Sequence, residues 1–190
     1  MAELKDYSGK FIPDLKYTDF SKEFMAQLLT EYARLYVMAD GVWYSLVQER
    51  YGPKVPSDID YDVWVNKLPV YETRGILKVL NLKTNTVADW MKVLQLIPGF
   101  SYNLFPHEID IKNENHAVVT VRDCPALIRF EKREPEKIVH ICQELELPSA
   151  IAYVKQFNPD IEVTMPIMPP RKSPKDICCR FEFKLKPKKK

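Results

Sequence analysis

The chain predicts an α+β domain in which an N-terminal helical half packs on a C-terminal antiparallel sheet that carries two further helices. Three observations predict it. Apolar residues recur at helical spacing up to Pro98-Gly99. From His107 onward the period shortens to two, as in half-buried strands. Proline, glycine and asparagine clusters fall between the periodic segments rather than inside them, except for Asp40-Gly41.

Residues 19–51 read as one long helix. Phe20, Phe24, Leu28, Leu35, Val42 and Leu46 form its apolar stripe, Thr18, Asp19 or Ser21 can cap it, and Gly52-Pro53 ends it. Ser57 can cap a short helix running to Leu68. Pro69 then separates it from a helix over 71–80. Thr86 followed by Asp89 marks another helix start, with Val87, Trp90, Met91, Leu94 and Ile97 facing inward.

In the second half, His107–Lys112 alternates, Asn113-Glu114-Asn115 is a turn, and Ala117, Val119 and Val121 share one face of the returning strand. His107 and His116 flank this hairpin and are expected at the surface. After Asp123-Cys124-Pro125, residues 126–132 read as a further strand. Pro135 suits the first turn of a helix whose stripe is Ile138, Ile141, Cys142 and Leu145. A second helix follows over 148–157. A strand at 161–165, a proline-rich loop over 166–174 and a last strand over 177–185 complete the chain.

The 190 residues predict a single domain, with 1–17 as an N-terminal extension and 186–190 as a frayed basic tail. Net charge is +2, and the tail supplies Lys186, Lys188, Lys189 and Lys190, so the body is near neutral. No strong field draws it to nucleic acid. No run reaches the ~18 apolar residues of a membrane span, and no secretory leader is read at the N-terminus. The expected compartment is the cytoplasm, where the four cysteines would be thiols or metal ligands rather than disulfides. A homo-oligomer is compatible with the sequence.

The candidate chemistry lies in those cysteines and in one aspartate. Along the last strand Cys179, Phe181, Phe183 and Leu185 share a face, so Cys179 points inward and Cys178 outward or to a loop. Cys124, Cys142 and Cys179 come from three separate elements. If they converge, with Cys178 or His140 as a fourth ligand, they suit zinc or another thiophilic metal. The alternative is that they are small buried hydrophobes. Asp40 has Tyr36, Val37, Trp43 and Tyr44 as its helix neighbours. Burial among aromatics would raise its pKa and suit it to act as a base or a ligand anchor. Asp58, Asp60, Asp62 and Glu72 admit a metal reading, or simply complement a helix dipole.

Several segments together resemble a prokaryotic family of unknown function. They are Met38-Ala39-Asp40-Gly41-Val42-Trp43, Asp60 with Val63-Trp64, Asp123-Cys124-Pro125, Cys142, Pro169-Pro170 and Cys178-Cys179-Arg180-Phe181-Glu182-Phe183. That family is similar to the L-2-amino-thiazoline-4-carboxylic acid hydrolase family and, more distantly, to four-vinyl-reductase-type domains. The resemblance implies an α+β fold that binds small molecules. It singles out Asp40, Trp43, Cys124, Cys142 and Cys179.

The expected function is therefore a small-molecule- or metal-binding domain with a cysteine-lined pocket. Asp40, Tyr36, Trp43 and Tyr44 would form one wall, and Cys124, Cys142, Cys178 and Cys179 the other. The alternative is a hydrolase of a carbon–nitrogen or carbon–sulfur bond, with Cys124 or a thiolate-bound metal as the reactive group and Asp40 as base.

Overall fold

The computed structural model describes residues 3–186, so most of the basic tail, 187–190, lies outside the described residues. The helical half holds α1 (Lys22–Tyr51), α2 (Lys54–Tyr61), α3 (Leu68–Val79) and α4 (Val87–Leu94). The second half holds strands β1 (His107–Asn113), β2 (His116–Val121), β3 (Ile161–Ile167) and β4 (Cys179–Leu185), with helices α5 (Pro125–Arg133) and α6 (Glu146–Phe157). The strands form one antiparallel sheet in the order β1-β2-β4-β3. The α+β reading holds. No helix among the described residues is long and apolar enough to cross a membrane.

The register puts Ala117 opposite Phe183, Val119 opposite Phe181 and Val121 opposite Cys179. These residues build the inner face, and Trp90, Val87 and Val93 of α4 pack on it together with Val154 of α6. The outer face carries Glu108, Thr120, Arg180 and Glu182, as expected of an antiparallel sheet solvated on one side.

Local chemistry explains the boundaries that match expectation. Ser21 Oγ accepts the Phe24 N–H at 3.2 Å at the start of α1, and Gly52, at φ 80°, ends it. Thr86 Oγ1 accepts the Asp89 N–H at 3.2 Å at the start of α4. Asp89 is buried, which pushes its carboxyl up. Hydrogen bonds from Lys92, at 2.7 Å, and from Thr84 outweigh burial and hold it below the usual range. Asp89→Ala is expected to cost about 2 kcal/mol in urea denaturation near neutral pH, and less at acid pH where the carboxylate is already protonated.

Several expectations are corrected. Residues 126–132 are helical, not extended. Pro125 occupies the first turn of α5 and the Cys124 side chain accepts the Leu127 N–H at 3.4 Å, so the cysteine caps a helix. The short apolar run Ala126-Leu127-Ile128 fits either period, and the proline decides it.

Ser57 does not start α2, which begins at Lys54; its hydroxyl donates to the Pro53 carbonyl within the helix.

Pro69 does not divide two helices. The backbone runs from α2 into α3 through a π-helical turn, Asp62–Lys67, in which the Leu68 N–H reaches back to Val63 O. A second π-helical stretch, Ile138–Leu145, leads into α6 just before Pro148, with the Glu146 N–H reaching Ile141 O. In each case the wider turn makes room for a proline ring that would strike the carbonyl four residues back. The two helices expected at 138–145 and 148–157 are thus one continuous run.

The apolar stripe read for α1 holds only in its first half. Phe24 and Leu28 are half-buried, but Leu35, Val42 and Leu46 are exposed, and there the inward side is Ala33, Tyr36, Val37, Asp40, Trp43, Tyr44 and Val47. Val37 and Asp40 of this side line a cavity.

The two hairpin histidines are less exposed than expected. His107 is buried, with its ring 4.6 Å from that of Phe100, and His116 is half-buried beside Glu182.

Candidate functional site

Between α1, the π-helical turns and the inner face of the sheet lies a cavity of about 250 Å³. Most of its wall is hydrocarbon and aromatic, including Trp64, Trp90, Phe100, Phe181, Phe183 and Met165. Gly99 keeps the wall thin: a Cβ there would meet the Trp64 ring at 3.2 Å.

All four cysteines line this cavity, and all are free thiols. Each arrives by a different local device. Cys124 is the N-cap of α5, and Cys142 lies on the inward stripe of the second π-helical stretch. Cys179 begins the inner face of β4. Cys178, just before β4, is 1% exposed and belongs to a buried cluster with Val121, Leu127, Ile138 and Cys142. Its thiol donates to the Arg122 carbonyl at 3.3 Å and its N–H donates to Val121 O at 2.8 Å.

Burial raises the pKa of every one of these thiols. Cys124 is pushed up to about 12, and Cys142 and Cys179 further, with the nearby Glu146 charge adding to the shift in all three. They stand as neutral SH groups near pH 7 and lack the depressed pKa of an activated nucleophile. Among the described residues, no group of three or more His, Cys, Asp or Glu side chains is close enough to hold a metal ion.

Asp40 lines the cavity from α1. Its Oδ1 accepts the indole N–H of Trp43 at 2.9 Å and of Trp64 at 3.3 Å. Burial raises its pKa, and the two indole bonds partly offset that. Tyr36, Trp43 and Tyr44 do not line the cavity; each reaches it through another residue. Trp43 holds Asp40. Tyr36 donates to Glu72 Oε1 at 2.7 Å, and the same carboxylate accepts the Tyr153 hydroxyl from the cavity wall at 2.6 Å. Tyr44 bonds Ser57 at 2.9 Å and lies beside His140, which faces Asp60.

The acidic residues of the helical half separate in the fold. Asp58 is an exposed partner of Lys54 at 2.8 Å, and Asp62 accepts from Asn66 at 2.6 Å. Only Asp60 joins the cavity. It is 2% exposed, its Oδ2 lies 3.4 Å from His140 Nε2, and its Oδ1 has no hydrogen-bond partner. Burial first, and then the Asp40 and Glu146 charges, raise its pKa to about 7.

Glu146 belongs to the same wall and escaped the sequence reading. Burial raises its pKa to about 7, and no hydrogen bond or opposite charge offsets that. Its side chain is nonetheless exposed, because it faces the open space of the cavity while protein surrounds that space. The available signal was its position four residues after Cys142 and seven before Tyr153, on the same inward stripe.

Every segment that carried the family resemblance supplies a wall residue: Asp40, Trp64, Cys124, Cys142, Pro169 and Cys178. The model of a family of unknown function, DUF6125, matches residues 18–185. No curated protein and no solved structure matches.

Proposed function

The chain belongs to DUF6125, a family of unknown function, and from that premise we propose that it is a small-molecule-binding protein whose ligand occupies the cavity between α1 and the sheet. One observation carries this reading. A single cavity gathers four thiols, three carboxyls and an aromatic wall from both halves of the chain. A core built for stability alone would be filled, since interiors pack as densely as organic crystals and buried polar groups find partners. Here carboxyl groups with raised pKa values border open space instead, which is the usual signature of a site.

The likeness to the L-2-amino-thiazoline-4-carboxylic acid hydrolase family, to four-vinyl-reductase-type domains and to prokaryotic proteins is part of this proposal. Its support is the convergence of the resembling segments on the cavity wall. The thiols are assigned to binding rather than to nucleophilic hydrolysis, because burial keeps Cys124 protonated.

The test uses 1-aminoanthracene, a neutral dye that brightens in apolar pockets. It is expected to bind one per chain. Ala150→Trp, which fills the cavity from α6, is expected to abolish the signal with an unchanged far-ultraviolet circular dichroism spectrum. Equal dye binding by the filled variant would defeat the proposal.

A further inference from the structure

We infer that the cavity takes a small organic cation with an apolar body, its ammonium group held by Asp60 and Glu146 and its hydrocarbon laid against the aromatic wall. The inference rests on the binding reading above and adds the class of ligand.

Charge selects the class. Three carboxyl residues, Asp40, Asp60 and Glu146, line the cavity, and among the described residues no lysine, arginine or histidine does. The nearest basic side chains do not line the cavity. Lys137 pairs with Glu134 at 2.7 Å and lies 5.0 Å from the centre of the Tyr44 ring. His140 approaches Asp60 without lining the cavity. An anionic ligand would meet carboxylates with no donor of opposite charge.

Availability selects the residues. Asp40 Oδ1 is already taken by two indoles. Asp60 lines the cavity, is 2% exposed, and its buried Oδ1 has no hydrogen-bond partner. Glu146 extends into the open space with nothing bonded to its carboxyl among the described residues. An ammonium group supplies three donors and the missing charge at once. Aromatic rings such as those of Trp64, Trp90, Phe100 and Phe181 in the wall favour a cation that meets a ring face over a neutral group of the same shape. The thiols are neutral and polarizable, so they add contact without competing charge. A bare metal ion fits less well, since no three ligand groups cluster among the described residues.

The experiment measures displacement of bound 1-aminoanthracene at about pH 8, above the pKa of both carboxyls. Three probes share a shape: phenethylammonium, neutral propylbenzene and anionic 3-phenylpropionate. Phenethylammonium is expected to displace the dye at a concentration at least about tenfold below that of propylbenzene, and 3-phenylpropionate not at all. Glu146→Gln and Asp60→Asn should each weaken the ammonium by about tenfold and leave propylbenzene within about twofold.

Propylbenzene or 3-phenylpropionate binding as tightly as phenethylammonium overturns the inference while leaving the pocket standing. So does an ammonium affinity unchanged in both variants, or displacement by stoichiometric zinc ion. If the dye and all three probes fail to bind, the binding reading falls, and the ligand class with it.

Discussion

Asp60→Asn is expected to raise the melting temperature near pH 8 and to flatten its dependence on pH. The folded protein holds this carboxyl at a pKa of about 7, against 3.8 for the unperturbed group. Between those values the folded state keeps a proton that the unfolded state has released. Stability therefore rises as pH falls from about 8 to about 5, and the penalty is complete above the folded pKa. A tenfold change in the acid dissociation constant corresponds to about 1.4 kcal/mol.

The groups facing Asp60 share the effect: Asp40 from α1, Glu146 from α6, and His140 with Lys137 from the helical run before it. The single substitution is thus expected to recover about 2 kcal/mol, or about 4–8 °C in a domain of this size. Glu108, Glu131, Glu134 and Glu182 are held below the usual range, mainly by hydrogen bonds from Arg122, Arg171, Lys137 and Lys184, and act with the opposite sign. Their contribution is lost only in more acidic solution, outside this window. Melting curves between about pH 5 and 8.5 decide the matter. A wild-type melting temperature that is flat or falls on acidification, or an Asp60→Asn variant with the wild-type slope, refutes the assignment.

Arg171→Ala is expected to loosen the cover over the cysteine end of the cavity. The Arg171 side chain is 5% exposed and grips Glu131 with two nitrogens, at 2.9 and 2.5 Å. It also donates to the carbonyls of Pro174 and Asp176, at 3.1 and 3.4 Å, and reaches the Cys178 sulfur at 3.7 Å. One guanidinium thus ties α5, the 169–177 loop and a buried thiol together. Its removal leaves Glu131 unpaired and several loop carbonyls without donors, at a cost of about 3 kcal/mol.

Alkylation of Cys178 by iodoacetamide, followed by peptide mass spectrometry, should become at least about tenfold faster, because local opening then governs access. Arg171→Lys should fall between, since lysine keeps the charge but not the two-pronged geometry. An unchanged Cys178 rate in Arg171→Ala would show that the loop is held by something else.

The parts of the fold legible in advance are those set by local chemistry. The Ser21 cap, the Gly52 stop, the Thr86–Asp89 cap and the Asn113–Asn115 turn each depend on residues within a few positions of one another. The alternation of β4 correctly placed Phe181 and Phe183 inside. Errors arose where distant residues decide, as for His107, which is buried with the Phe100 ring against its own, or where a short run fits two periods, as for residues 126–132, which are helical because Pro125 outweighs an ambiguous run. Apolar pattern misplaced the inward side of the second half of α1, where Leu35, Val42 and Leu46 are exposed and Asp40 lines the cavity.

Sequence alone determined the α+β class, the caps and turns that bound most elements, and the suspicion attached to Asp40 and the four cysteines. These follow from short-range sterics, hydrogen bonding and periodicity. Only the tertiary structure decided that those residues share one cavity, that Asp60 and Glu146 join them, and that the thiols stay protonated. Those properties depend on the low dielectric and the missing counter-charge created when chain segments more than a hundred residues apart enclose the same space.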